Sequence, residues 1–185
     1  IHAPIPERPF LNEIGVEPGN LKIAFTTCGL LGAEVHPDCI QAVKEAALLC
    51  SDLGHILLED YPVLDSEALM DAFKGGLSVA PAGRIKMLES AFGKQLGDND
   101  IEPLTSELAR IGAAYPATAI GGWQQQIGVA IRQVGYYMEE NRIDLLLSPV
   151  TSRPAPEIGY FDFCPEQPSR ALQRVADYLQ ITWLW

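Results

Sequence analysis

Residues 21–60, LKIAFTTCGLLGAEVHPDCIQAVKEAALLCSDLGHILLED, carry the clearest secondary-structure pattern in this chain. Leu21–Phe25 and His55–Glu59 are short, largely apolar runs, which predict two strands. Between them, Pro37 suits the first turn of a helix, and apolar residues then recur at helical spacing. Gly54 follows this pattern and favours a left-handed helix cap. Strand, helix and strand in this order predict a βαβ unit with parallel strands.

Further elements are predicted on both sides of this unit. The prolines and glycines of residues 1–20 indicate an extended lead-in or linker. Ile143–Leu147 is a nearly all-apolar run, typical of a strand that has neighbours on both sides. The predicted fold class is therefore α/β, a mixed, mostly parallel sheet flanked by helices. The remaining helices are predicted from Asp65 through Phe73, with interruptions at Gly75-Gly76 and Pro81, and over 84–92, 104–111, 118–140 and 169–179.

Residues 118–140 form the longest predicted helix. Its apolar residues step by three or four, which predicts a stripe that faces the core. The stripe consists of Ile120, Trp123, Ile127, Ile131, Val134 and Met138.

Composition and charge exclude several classes of protein. The chain has 185 residues and a formal net charge of −11, which gives no electrostatic basis for binding nucleic acid or an anionic membrane surface. No apolar run approaches the roughly 18 residues that a membrane span needs. The four cysteines contain no CxxC pair and are too sparse for a disulfide scaffold, so reduced thiols in a cytoplasmic protein are expected. No sequence signature indicates a cofactor.

Both ends of the sequence are unusual for a natural terminus. The chain starts at Ile1 rather than Met, and it ends on the apolar, aromatic run 181–185. Natural termini are usually polar and loosely held. We therefore expect these residues to be a piece of a longer protein.

The loop after the first predicted strand is the main candidate for a binding site. In open α/β sheets, ligands bind beyond the carboxyl ends of the strands, where Cys28 would lie. Cys28 is interpreted as a pocket-lining residue; a nucleophile or a plain loop residue are the alternatives. Gly29 and Gly32 give an incomplete dinucleotide motif, whose acidic partner would be Glu59 or Asp60. The loop 26–32 could thus serve a non-catalytic module that binds a small ligand.

Other chemical motifs are absent or have simpler explanations. Residues 76–80 come nearest to a nucleophile elbow but lack the final glycine and follow no strand. His36, Asp38 and Cys39 resemble a metal cluster, but their spacing fits no usual zinc pattern, and a helix start explains them. The aromatic residues at 183 and 185 favour a core or interface over a stacking platform, because no basic patch accompanies them.

Several of these segments, in the same order, resemble the C-terminal half of amidase-signature hydrolases. The similarity extends over nearly the whole chain from about residue 5 and is strongest toward amidases of the 6-aminohexanoate-cyclic-dimer hydrolase type. It rests on the strand 21–25, on 35–43, 53–55 and 59–62, on 144–151 with its Ser148-Pro149, and on 154–162.

The resemblance implies a fold, an activity and a placement of the catalytic residues outside this chain. Family members hydrolyse amides with a Ser, a second Ser reached through a cis peptide and a Lys, all in the N-terminal half. No catalytic residue can therefore be assigned here, and this chain alone is expected to be inactive. Residues 21–185 would be the C-terminal portion of an amidase-like α/β domain, truncated at both ends.

The resemblance also implies a partner and a set of binding residues. The partner is a small-molecule amide, and Thr27, Cys28 and Thr151 are the predicted substrate-binding residues, on the side of the pocket opposite the nucleophile. No metal site is expected. Because part of the sheet would lack its cover, self-association into a homo-oligomer is a further expectation.

Overall fold

The structure is a computed structural model, and it describes residues 5–29, 32, 34–97 and 99–181. Within these residues, three short strands and five helices follow a one-turn 3-10 helix at Phe10–Glu13. The strands are β1 (Lys22–Phe25), β2 (Ile56–Glu59) and β3 (Leu145–Leu147), and the helices are α1 (Pro37–Asp52), α2 (Ser66–Phe92), α3 (Pro103–Ala113), α4 (Ala117–Asn141) and α5 (Pro168–Leu179).

The sheet is parallel, with β1 between β2 and β3. Ile23 lies opposite Leu57 on one side and Leu145 on the other. Ile23 and Ala24 are almost completely buried, as the central strand of a covered sheet requires. The predicted α/β class and the parallel βαβ unit are confirmed.

The strand predicted over Ile143–Leu147 is shorter in the structure, where it covers Leu145–Leu147. Arg142 adopts a left-handed conformation at the end of α4, and the Ile143 N–H donates to the Met138 carbonyl, so Ile143 closes the helix rather than starting the strand. Among the described residues β3 pairs only with β1, and Leu145 is 50% exposed. A second neighbour for β3 stays a prediction.

Local sequence determines where α1 begins and ends. The His36 imidazole accepts a hydrogen bond from the Asp38 N–H at 3.2 Å, and Pro37 occupies the first turn. Asp38 adds a negative charge at the positive end of the helix dipole. Gly54 follows with a φ of 91°, which confirms the predicted left-handed cap.

The predicted interruption of α2 is wrong, because the helix runs unbroken through Gly75-Gly76 and Pro81 for 27 residues. Tertiary packing explains the first of these sites, since the Trp123 ring of α4 occupies the space that a side chain at position 75 would need. The same close approach occurs on α3, where a side chain at Gly112 would overlap the Ser78 backbone. Helix propensity is thus overridden by the neighbouring helices.

The predicted core stripe of α4 is only partly buried. Trp123 and Ile127 are partly covered, whereas Ile120 and Ile131 are exposed, and Ala130 is the residue of α4 that is fully buried. Leu69 of α2 packs against Ala130, and this contact joins the two longest helices. Among the described residues, no helix is both long and apolar enough to cross a bilayer.

Candidate functional site at the carboxyl edge of the sheet

The carboxyl ends of the three parallel strands meet at one edge of the sheet, which we call the carboxyl edge. The Thr26 N–H donates to the Leu147 carbonyl at 3.0 Å, and the Asp60 N–H donates to the Phe25 carbonyl at 3.0 Å. These bonds continue the hydrogen-bond ladder of the sheet by one residue past the ends of β1 and β2. The segments that carry Thr27 and Thr151 therefore leave the sheet on the same side.

Two hydrogen bonds hold the turn after β1. The buried Thr26 hydroxyl accepts the Cys28 N–H at 3.1 Å, which is a Ser/Thr turn. The Thr27 hydroxyl donates to a carboxylate oxygen of Glu59 at 3.4 Å. The Cys28 thiol is exposed, and none of the described histidines hydrogen-bonds it. This turn offers a hydroxyl and a thiol to a ligand, without a base that would activate the thiol.

Thr151 lines a pocket of about 290 Å³ between α1 and the segment after β3. Its hydroxyl donates to the Arg153 carbonyl at 2.9 Å, which leaves the oxygen lone pairs for a ligand. Thr27 and Cys28 share the carboxyl edge but do not line this pocket. The lining residues are Cys39, Ala42, Val43, Ala46, Leu147, Ser148, Pro149, Val150 and Thr151.

Sequence reasoning did not assign Cys39 to a binding site. The sequence predicts that Cys39 lies in the first turn of α1, but it does not predict that this turn approaches the segment after β3. Burial, and secondarily the Asp38 carboxylate, raise the pKa of the Cys39 thiol above its usual value. The thiol is therefore neutral at pH 7 and acts as a small apolar wall rather than as a nucleophile.

Tyr137 of α4 is a second residue that sequence reasoning missed. Its hydroxyl is buried and makes no hydrogen bond within the described part of the chain. Burial, and secondarily the Asp60 carboxylate at the end of β2, raise the pKa of Tyr137 to about 12. The hydroxyl is thus a protonated group that interacts with the Asp60 carboxylate near the carboxyl edge. The spacing of apolar residues along α4 does not indicate a buried hydroxyl of this kind.

The other candidate residues have structural roles. His55 accepts the Leu21 N–H at 3.2 Å and helps to join β1 to β2. Ser78, in the segment nearest to a nucleophile elbow, is buried inside α2 and donates to the Lys74 carbonyl at 2.8 Å. His36 caps α1. No three potential metal ligands come together in the described ranges.

Two predictions fall on residues outside the described ranges. In the loop 26–32, the Gly32 N–H donates to the Gly29 carbonyl at 3.2 Å, but residues 30 and 31 are not described. The aromatic residues at 183 and 185 also lie outside the described part. The ligand-binding loop and the aromatic end therefore stay predictions.

No family model matches the chain. The 6-aminohexanoate-cyclic-dimer hydrolases of Paenarthrobacter ureafaciens and of Pseudomonas sp. (strain NK87) are each 26% identical over 159 residues, which is 85% of this chain. This chain is similar to those hydrolases. The predicted resemblance is confirmed.

Solved structures of 6-aminohexanoate cyclic dimer hydrolase share the fold. One of them, which is complexed with its substrate, matches 97% of this chain with a TM-score of 0.82 and 24% identity. The chain spans about a third of the length of the curated hydrolases, 32%, and 39% of the solved one. The similarity therefore concerns one part of those proteins.

Proposed function

We propose that this chain is the C-terminal part of an amide hydrolase that cleaves carbon–nitrogen bonds in linear or cyclic amides. The observation that carries the proposal is the fold match, which extends over 97% of this chain but only 39% of the solved hydrolase. The sequence similarity to two 6-aminohexanoate-cyclic-dimer hydrolases supports the same assignment.

The chemical step is proposed to occur on residues outside this chain. A serine hydroxyl attacks the amide carbonyl carbon, while a second serine and a lysine accept its proton. Backbone N–H groups stabilise the oxyanion, the amine leaves with a proton, and water hydrolyses the resulting ester. The resemblance assigns no nucleophile and no base to this chain.

The proposed role of this chain is to bind the substrate from the side opposite the nucleophile. Thr27 and Thr151 carry hydroxyl oxygens whose lone pairs can accept hydrogen bonds from amide N–H groups. The exposed Cys28 adds a small, polarizable contact. The bond from Thr27 to Glu59 holds one hydroxyl in place before the substrate arrives.

The proposal is tested with substitutions in the longer protein that contains this chain. Thr27→Val and Thr151→Val keep the side-chain shape but remove the hydroxyl, and each is expected to lower kcat/KM for a cyclic amide by roughly fivefold to tenfold. Ser51→Ala, which removes an exposed hydroxyl at the opposite end of α1, is the matched control. Unchanged kinetics in both threonine variants would show that these residues do not bind the substrate.

The isolated chain supplies a second test. Because the proposed nucleophile lies elsewhere, residues 1–185 alone are expected to release no amine from simple linear or cyclic amides. The assay follows amine release with the longer protein as the positive control. Turnover by the isolated chain above the uncatalysed rate would contradict the proposed division of labour.

Two wider aspects belong to the same proposal. We place the longer protein in the cytoplasm, and the free thiols of the four cysteines support this. Its partner is a small amide, and homo-oligomer formation is also proposed. Localisation of a tagged longer protein tests the first point, and sedimentation tests the last.

A further inference from the structure

Two arginines contact one aromatic ring in the loop between β3 and α5. The guanidinium carbon of Arg153, in that loop, lies 5.3 Å from the centroid of the Tyr160 ring, and that of Arg174, on α5, lies 4.5 Å from it. Both distances are within the reach of a cation–π interaction. The separation of the two guanidinium carbons cannot exceed the sum of these distances, so two positive charges stand close together. We call these three residues the Tyr160 cluster.

Packing against α5 fixes the position of this cluster. Arg174 donates from Nη1 to the Tyr160 carbonyl at 2.6 Å. The Phe161 ring meets Tyr160 edge to face at 5.0 Å and meets Tyr178 of α5 in the same way at 5.5 Å. Tyr160 and Arg174 are half-buried, whereas Arg153 is exposed. The ring therefore orders a long, charged side chain that solvent alone would leave free.

Neither guanidinium of the cluster has an anionic partner in the described part of the chain. The ion pairs there involve other side chains, and Glu157 and Asp162 of the same loop do not pair with Arg153 or Arg174. Carboxylates are abundant, since the chain has 24 acidic against 13 basic residues. Two like charges at one ring repel each other, and an anion near both is attracted by each. The Tyr160 cluster therefore favours an anion.

The cluster adjoins the segment that carries Thr151, one of the predicted substrate contacts. The Thr151 hydroxyl donates to the Arg153 carbonyl at 2.9 Å. The Ser152 N–H donates to the Tyr178 carbonyl at 3.2 Å, which joins the same segment to the end of α5. A linear ligand whose amide contacts Thr151 can therefore present its far end to Arg153.

A carboxylate is the anion that fits this cluster best. Guanidinium groups pair with carboxylates through two parallel N–H···O bonds. A phosphate carries more negative charge, and the net charge of −11 opposes its approach. An uncharged ligand gains nothing from the two cations.

We propose that the Tyr160 cluster binds a carboxylate group of the substrate, so that the longer protein prefers linear amides with a free carboxylate to their uncharged esters. This inference rests on the proposed function, because it assumes that an amide binds at the carboxyl edge. Arg153 and Arg174 select the substrate by its charge and take no part in the chemical step.

Calorimetric titration of the longer protein with 6-acetamidohexanoate and with its methyl ester, in the cold where hydrolysis is slow, tests the binding of the carboxylate. The two compounds share the amide and the hydrocarbon chain and differ in charge. The carboxylate is expected to bind at least about fivefold more tightly, because it forms charge-assisted hydrogen bonds. Equal binding of the two compounds, or binding of neither, would overturn the inference. Tighter binding of inorganic phosphate than of the carboxylate would overturn it too.

Initial rates of hydrolysis of the same two compounds keep this inference separate from the proposed function. If the longer protein binds the carboxylate preferentially but cleaves neither amide, the proposed function is wrong and the carboxylate site is supported. If it binds both compounds equally and cleaves both with the same kcat/KM, the hydrolase is supported and the carboxylate site is wrong.

Variants assign the effect to the cluster. Arg153→Gln removes an exposed charge and is expected to reduce the preference for the carboxylate over the ester from at least about fivefold to near one. Arg170→Gln is the matched control, because Arg170 is an exposed arginine of α5 that hydrogen-bonds Gln167 and lies outside the Tyr160 cluster. Circular dichroism checks that both variants keep their helices. An undiminished preference in Arg153→Gln would refute the assignment.

Discussion

At the scale of single residues, Tyr137 is the clearest case of a polar group whose surroundings do not satisfy it. Its hydroxyl is buried without a hydrogen bond to the described residues, and its pKa is raised to about 12. Asp60 lies near enough to oppose ionisation without accepting the proton in a well-formed hydrogen bond. Leaving such a group unpaired costs about 1–3 kcal/mol of stability.

Replacing Tyr137 by Phe is therefore expected to leave the free energy of unfolding unchanged or to raise it by about 1 kcal/mol at pH 7. The pH dependence should also change. Because burial raises the pKa of Tyr137 only in the folded state, the unfolded state ionises first and the fold loses stability as pH rises from about 10 toward 12. Urea unfolding between pH 8 and pH 12 should show a steeper loss in the parent chain than in Tyr137→Phe. Parallel curves would contradict the assignment.

At the scale of elements, adjacent glycines in α2 have different roles. A side chain at Gly75 would overlap the Trp123 ring of α4, whereas nothing lies within 4 Å of a side chain at Gly76. The same pair was interpreted from sequence as a helix interruption. Two glycines look alike in a sequence, and only the position of α4 distinguishes them.

This difference predicts opposite effects of one substitution. Gly75→Ala forces Trp123 to move and is expected to destabilise the fold by about 1–3 kcal/mol. Gly76→Ala improves helix propensity in open space and is expected to stabilise it by about 0.5–1 kcal/mol. Thermal or urea unfolding of the two variants measures the contrast. Equal effects would mean that α4 does not pack on α2 at this point.

At the scale of the molecule, the sequence predicts best where local chemistry determines the structure. His36, Pro37 and Gly54 place the ends of α1 with cap and turn geometry that needs no tertiary contact. Local sequence does not predict that Cys39 lies near Thr151 or that Tyr137 lies near Asp60. Each of these pairs is more than 70 residues apart in sequence, and only the packing of helices on the sheet brings them together.

The same packing leaves apolar side chains in solvent next to an edge strand. Leu53, Ile56 and Leu58 are exposed around β2, which pairs only with β1 among the described residues. An apolar edge of this kind favours pairing with a second copy. Sedimentation of the isolated chain should therefore show association that increases with concentration. Ile56→Lys should weaken it, while Met87→Lys, an equally exposed site on α2, should not. A concentration-independent monomer would show that this edge is not an interface.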